Sequence, residues 1–583
     1  MHFDEIVKRL GEFGRFQRRV YFLLCLVAIP NAWHAIGAVF LTANTDHWCN
    51  VPSVPGLNCT SLNLTASQCI EKRRNLTIPY TITGSSVVYE QCTRYNDTVY
   101  EEEVIYIASS NDNNTDVSAH REIVGCGKDG WEYDHSQYTN TAVTEFNLVC
   151  KKKALPNLSQ SIFFAGILCG SIFFGTLSDW IGRLPTFFIC IGCEAVVGTI
   201  AAFAPNFNTF TAMRFFVGMC NLGAYMTAFV LGTEFVGPQY RACAGTIIPL
   251  FFSVGYMILA ILAYFIRDWR HLQLAISVPL ALFFILIPFV SESARWLMSH
   301  GKYDRAEKII RRAAKVNKVE LPDVLFDEND KVTEKEARFT AGGRRPTHLD
   351  LFRTPNLRFK TLNILYNWFV NNLVYYGLSL STSGLGVNAY LAAFVSGAVE
   401  FPAYLSCWFI VQRFGRKVPL CLYMVVGGVA CLLTIVVPLG VPRTVVAMVG
   451  KFCISASFGL IYIFSAEIYP TVVRGIGMGL SSMSARVSGV LSPLILLLGN
   501  YWTPLPVIIF GVNSILAGLL VLLLPETLGV DLPQSLEDGE EYGRGKSKLP
   551  CFQKTSNYHH DNGYKPTPKE DCHGDDDVTE QRV

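Results

Sequence analysis

Gly175-Thr-Leu-Ser-Asp179-Trp-Ile-Gly182-Arg183 joins two long apolar runs, so it reads as a tight turn at a membrane surface. A partial echo, Gln412-Arg-Phe-Gly415-Arg416-Lys417, follows later, with Arg416 233 residues beyond Arg183. The same offset recurs elsewhere. Glu234-Phe-Val-Gly-Pro-Gln-Tyr-Arg241 and Glu467-Ile-Tyr-Pro-Thr-Val-Val-Arg474 both keep a seven-residue Glu-to-Arg spacing, and both pairs lie 233 apart. Ser291-Glu292-Ser293 and Pro525-Glu526-Thr527 are offset by 234. The chain is therefore read as two related halves.

Of the 583 residues, 50% are hydrophobic and 16% charged, and the net charge of +2 gives no reason to expect a nucleic-acid partner. Apolar runs of about 20 residues match the length that crosses a hydrocarbon core of about 30 Å. About twelve spans are expected: 20–42, 154–177, 184–204, 208–230, 243–263, 270–290, 358–381, 387–411, 418–438, 443–465, 475–498 and 503–524. Arg183, Arg241, Arg413, Arg416, Lys417 and Arg474 lie in alternate loops, and the N-terminus is also basic. The positive-inside rule places both termini in the cytosol, residues 1–19 included.

Segment 43–153 is then external. Its six cysteines, Cys49, Cys59, Cys69, Cys92, Cys126 and Cys150, predict three disulfides, with all pairings open. Asn58, Asn63, Asn75, Asn96 and Asn113 each begin an Asn-x-Thr glycosylation sequon. Spans one and seven break the common offset by about the excess length of this segment, which reads as an insertion into the first half. Residues 154–290 complete that half, 291–357 form a cytosolic linker, and 358–524 form the second half. Within the linker, the basic stretch Tyr303–Lys318 has helical spacing and is expected to lie on anionic headgroups. Residues 525–583 are polar and read as a disordered cytosolic tail; His559, His560, Cys572 and His573 there are not taken as a metal site.

The turn at 175–183 resembles the signature of the major facilitator superfamily. Thr144-Glu-Phe-Asn-Leu-Val-Cys150, Glu292-Ser-Ala-Arg-Trp-Leu297 and Ala466-Glu-Ile-Tyr-Pro-Thr-Val-Val-Arg474 resemble the organic cation, carnitine and organic anion transporters, solute carrier family 22, within it. Leu184-Pro185 departs from the basic pair that often follows Gly-Arg, and Ser291 replaces a usual Pro. The resemblance implies an all-α membrane protein of two six-helix bundles with a disulfide-rich external domain, working by alternating access at the plasma membrane. It also implies gating roles for Asp179, Arg183, Glu234, Arg241, Arg416, Glu467 and Arg474.

Intramembrane charges mark candidate substrate sites. Arg486 lies about 16 Å into span eleven and Glu400 about 20 Å into span eight, at about 1.5 Å per residue. Arg486 suits a substrate carboxylate, and Glu400 a cation or a basic side chain. Lys451 and Arg214 lie nearer the outside, and Glu194 is expected on the lipid-facing rim. Trp368, Tyr375, Tyr376 and Tyr462 offer ring faces for an ammonium group. In the resembled family, Arg near position 486 goes with carnitine and anion carriers and Asp with cation carriers. The expected substrate is a carnitine-like zwitterion, with organic cations beside it. The alternatives are organic anion exchange and a non-transporting receptor. No cofactor or metal is expected, and sodium coupling stays open.

Other classes fit worse. Gly450-Lys451 is followed by Phe452 rather than a phosphate-loop Ser or Thr, and His34 stands alone in span one with no catalytic partner in sequence.

Overall fold

The computed structural model describes residues 3–544, except 51–53, 55–56, 58, 61–64, 84–85, 97–121, 127–129, 238–239, 323–324, 327–346 and 531. Apolar runs become helices because lipid offers backbone groups no alternative partner. Spans one to six are Arg15–Leu41, Leu155–Ile181, Arg183–Ala202, Phe207–Phe235, Arg241–Phe265 and Trp269–Leu286. Spans seven to twelve are Pro355–Leu380, Ala389–Phe414, Lys417–Val436, Val441–Ile468, Arg474–Leu497 and Leu505–Val521. Span six is not one regular α-helix: it changes at Val278 into a 3-10 stretch that contains Pro279. A proline has no N–H to continue the α-helical ladder.

The halves meet through span two on span eleven and span five on span eight. Within the first half, spans two and four approach closely. A Cβ on Gly166 would lie 2.0 Å from the Phe215 carbonyl, so only glycine fits there. Large apolar side chains such as Phe173, Val196, Phe265 and Phe409 stay on the outside, where lipid replaces water.

The described residues of segment 43–153 form three two-stranded antiparallel sheets: His47–Cys49 with Trp131–Tyr133, Tyr80–Thr83 with Ser86–Tyr89, and Thr93–Tyr95 with Ile123–Gly125. The disulfides are Cys49–Cys126, Cys59–Cys69 and Cys92–Cys150. A core this small needs such cross-links. Glu145 clasps the unit to the start of span six. It accepts from Trp269 Nε1 at 2.7 Å and from Arg270 Nη2 at 2.5 Å. Burial raises the Glu145 pKa, but bonds from Arg270, Trp269 and Asn140 outweigh it and hold the carboxyl below its ordinary value. Of the sequon residues, Asn75 is exposed and Asn96 is half-buried, donating to Glu122 at 2.7 Å. Asn58, Asn63 and Asn113 lie outside the described residues.

At the opposite end, which carries the termini, two expectations change. Helix Tyr303–Asn317 buries Ala306, Ile310, Ala313 and Ala314 in a core shared with Phe16 and Val20. Its apolar stripe is therefore used against protein rather than lipid. Asn317 fastens it by donating to the Leu10 carbonyl and to Gln17 Oε1, both at 2.8 Å.

The described residues after span twelve, up to Arg544, are folded against the second half, whereas the whole of 525–583 was expected to be a disordered tail. Helix Leu536–Glu541 is closed by a Ser535–Asp538 capping box. Glu540 caps the start of span seven through the Asn356 and Leu357 N–H groups, at 3.0 and 2.9 Å. Lys360 Nζ donates back to the Gly539 carbonyl at 3.0 Å. Polar composition suggested a solvated chain, but these polar groups accept from specific donors at a helix N-terminus. Residues 545–583, with His559, His560, Cys572 and His573, lie outside the described residues.

Candidate functional site

Two equivalent clusters lie at the terminal end. In the first half, Gly182 has φ +116, and a Cβ there would meet Glu292 Oε2 at 2.5 Å. Glycine thus lets the Glu292 carboxylate reach the start of span three, where it accepts from Arg183 N at 3.2 Å and Leu184 N at 3.2 Å. Burial raises the Glu292 pKa, while these N–H groups and Ser293 oppose the shift. The second half repeats the device. Gly415 has φ +81, and Glu526 accepts from Arg416 N at 2.9 Å and Lys417 N at 3.1 Å.

The ion pairs above these caps differ. Arg183 divides its guanidinium between Asp179, at 2.7 Å, and Glu234, at 3.5 Å. Arg416 grips Glu467 with two bonds, 3.0 and 2.9 Å. The Asp179 side chain is 74% exposed, and its carbonyl accepts from Trp296 Nε1 at 2.9 Å. Arg474 bonds the Tyr469 carbonyl and Thr471 rather than Glu467. The Arg241 side chain lies outside the described residues. Each of these pairs joins elements of one half.

Among the described residues, hydrogen bonds between halves lie at the level of Arg486 or nearer the disulfide-bonded end. Ser253 Oγ donates to Glu400 Oε2 at 2.7 Å, and Tyr256 to the Ser379 carbonyl at 3.3 Å. Tyr390 donates to the Gln137 carbonyl at 2.7 Å and stacks on Phe40 at 5.6 Å. Phe164 of span two meets Tyr376 of span seven edge-on at 4.5 Å. The halves are closed together at one end and joined by no described ion pair at the other.

Arg486 lies on this seam. Its Nη1 donates to the Ser482 carbonyl at 2.6 Å and also to the Ser482 hydroxyl. Its Nη2 reaches across to Met226 Sδ at 3.5 Å. Nε is buried with no acceptor. Tyr462, Tyr376 and Tyr225 lie around the guanidinium, and no carboxylate pairs with it among the described residues. Tyr462 is 39% exposed and forms an open wall.

The other expected substrate contacts are placed differently. Glu400 and Lys451 neutralise each other, with Lys451 Nζ 3.0 Å from Glu400 Oε1. Neither charge is open to a ligand. Tyr375 is buried and donates to Glu400 Oε1 at 2.8 Å. Trp368, 1% exposed, donates to Ser465 Oγ at 2.8 Å and lies behind Tyr462, ring centres 4.3 Å apart. Both therefore back the open wall rather than form its face.

Glu194 is likewise not on the rim. It is buried inside the first half, accepting from Asn221 at 2.8 Å. Arg214 is buried against Gln160 and the Phe163 ring. Tyr225, Met226, Phe164 and Ser253 escaped the sequence reading because a Met, Ser or aromatic residue in a span carries no distinguishing charge. Among the described residues, one His/Cys group has metal-like spacing, His47 with Cys92 and Cys150, but its two sulfurs are joined in a disulfide.

The family model for sugar (and other) transporters matches residues 93–537. The chain is 44% identical over 561 residues to the organic cation transporter protein of Drosophila melanogaster, covering 95% of this chain and 97% of the relative. It is 37% identical over 540 residues to the human organic cation/carnitine transporter 2, covering 92% and 93%. The xylose transporter XylE from E. coli, in a partially occluded inward-open conformation, superposes with TM-score 0.54 at 15% identity, covering 89% of this chain and 100% of that one. This last likeness shows the fold.

Proposed function

Since this chain belongs to solute carrier family 22, within the sugar (and other) transporters, and is a multi-pass membrane transporter of organic ions and not an enzyme, we propose that it carries carnitine-like zwitterions and organic cations across the plasma membrane by alternating access. The observation that carries the substrate reading is Arg486, an inward guanidinium with an unpartnered buried Nε and no carboxylate beside it. A substrate carboxylate supplies the missing acceptor, displacing the weak Met226 thioether. The ammonium end rests on the ring faces of Tyr376 and Tyr462, with Trp368 and Tyr375 holding that wall from behind. The names of two relatives specify organic cations and, in one case, carnitine, which agrees with this division of labour.

Both termini lie in the cytosol and the disulfide-bonded unit outside, in keeping with the basic loops at the terminal end. In this arrangement the extracellular end is closed. The cytosolic clusters around Arg183 and Arg416, together with Arg241 and Arg474, serve as gate parts that meet when the cytosolic end closes.

The test is uptake of labelled carnitine and tetraethylammonium by the full chain, with Arg486→Asp as the variant. Loss of a charge-assisted pair worth about 1.5–3 kcal/mol predicts a fall in carnitine uptake of about 10- to 150-fold. Tetraethylammonium uptake is expected to persist. Undiminished carnitine uptake by an Arg486→Asp protein that reaches the surface would overturn the assignment.

A further inference from the structure

The Glu400–Lys451 pair has no part in the substrate contacts above. Glu400 is 0% exposed and Lys451 1%. The Lys451 ammonium lies 3.0 Å from Glu400 Oε1, 2.5 Å from Ser379 Oγ and 3.4 Å from the centre of the Tyr375 ring. Tyr375 donates to Glu400 Oε1 at 2.8 Å, and Ser253 to Oε2 at 2.7 Å. Ser253 comes from span five of the first half, and Tyr256, three residues on, bonds the Ser379 carbonyl. The pair therefore sits on the seam at which the halves must separate and rejoin.

Carboxylate and hydroxyl oxygens with a ring face, gathered at a repeat interface, are what a small monovalent cation requires. Here the cation is an ammonium on the chain's own four-carbon tether. A buried carboxylate without a counter-charge is strongly unfavourable, so closing the halves over a charged Glu400 requires a cation beside it, and closing without one requires Glu400 to be protonated.

We propose that Lys451 is a resident cation: its ammonium fills a monovalent-cation site built by Glu400, Ser379 and the Tyr375 ring, so this seam closes in each cycle without taking up an external ion. The proposal rests on the transport reading above. It makes Glu400 a positioning residue for Lys451 rather than a contact for a cationic substrate.

The experiment measures tetraethylammonium and carnitine uptake by the full chain in cells, with external sodium present or replaced by N-methylglucamine. Wild-type uptake is expected to agree within about twofold between the two media. A fall of more than tenfold without sodium would overturn the proposal. Lys451→Ala empties the site. In N-methylglucamine medium its uptake is expected to fall at least tenfold, and millimolar methylammonium or sodium is expected to restore it. Full uptake by Lys451→Ala without any small cation would sink the idea. So would a surface-expressed Lys451→Ala that neither methylammonium nor sodium restores.

Should Lys451→Ala not reach the surface, the wild-type comparison still decides, joined by the double variant Lys451→Met with Glu400→Gln. With both charges removed, that variant is expected to reach the surface and ignore methylammonium. Stimulation of it by methylammonium would count against the site. Failure of the transport reading looks different: the wild type would then show no saturable uptake of either probe in either medium.

Discussion

The Tyr390 hydroxyl donates to the Gln137 carbonyl at 2.7 Å, tying the start of span eight to the disulfide-bonded unit carried by the other half. Tyr390 also stacks on Phe40 and meets Tyr138 and Tyr264, with ring centres 5.6 to 5.7 Å away. One second-half side chain is thus held by three parts of the first half. In the proposed alternating-access cycle, this contact forms when the disulfide-bonded end closes and breaks when that end opens.

Tyr390→Phe keeps the stacking and removes one hydrogen bond, worth about 1 kcal/mol. It is expected to shift the balance towards the outward-open form about fivefold. Tyr390→Ala is expected to shift it further. Alkylation of a cysteine placed in the outer vestibule measures this: labelling should rise in the order wild type, Phe, Ala. Equal labelling in all three would remove Tyr390 from the closure.

Of the two glycines in the signature stretch, Gly175 lies inside the span-two helix and only Gly182 forms the turn, which separates a conformational requirement from a merely small residue. Gly182 has φ +116 and Glu292 against its missing Cβ, whereas a Cβ on Gly175 would meet nothing within 4 Å. Gly182→Ala is expected to cost about 1–3 kcal/mol and to lower the unfolding temperature of the purified carrier. Gly175→Ala is expected to leave it unchanged. Thermal unfolding followed by thiol reactivity distinguishes the two, and equal behaviour would contradict the geometry.

The Glu145 clasp sets an acid limit on stability. Its bonds to Arg270, Trp269 and Asn140 hold its folded pKa below the unfolded value, so the clasp stabilises above the ordinary glutamate pKa of 4.5. That contribution is lost as pH falls through the folded value. Wild-type thermal stability should therefore drop below pH 4.5 more steeply than that of Glu145→Gln. The two proteins should converge in strong acid. Parallel curves would show that the clasp does not titrate as described.

Several features were legible without coordinates because each depends on local chemistry. Apolar length specifies a span, and a recurring offset specifies two related halves. The motif around Glu292 and Trp296 could be recognised as a motif, but not as the cap of span three and the holder of the Asp179 carbonyl. A motif names residues, not their acceptors.

Sequence alone was therefore enough for the membrane class, the duplicated plan and the family. Each follows from length, charge or order along one chain. The tertiary structure decided which polar groups face each other across different helices. Glu400 and Lys451 are 51 residues apart in sequence, which leaves either free to face substrate. Their 3.0 Å contact makes them partners. Trp368 and Tyr375 share a helix face, as their spacing required, but that face is covered by Ser465 and Glu400. Helical periodicity fixes a residue's direction on its own helix. It carries no information about the neighbour waiting there, because that neighbour comes from a distant part of the chain and is placed by packing.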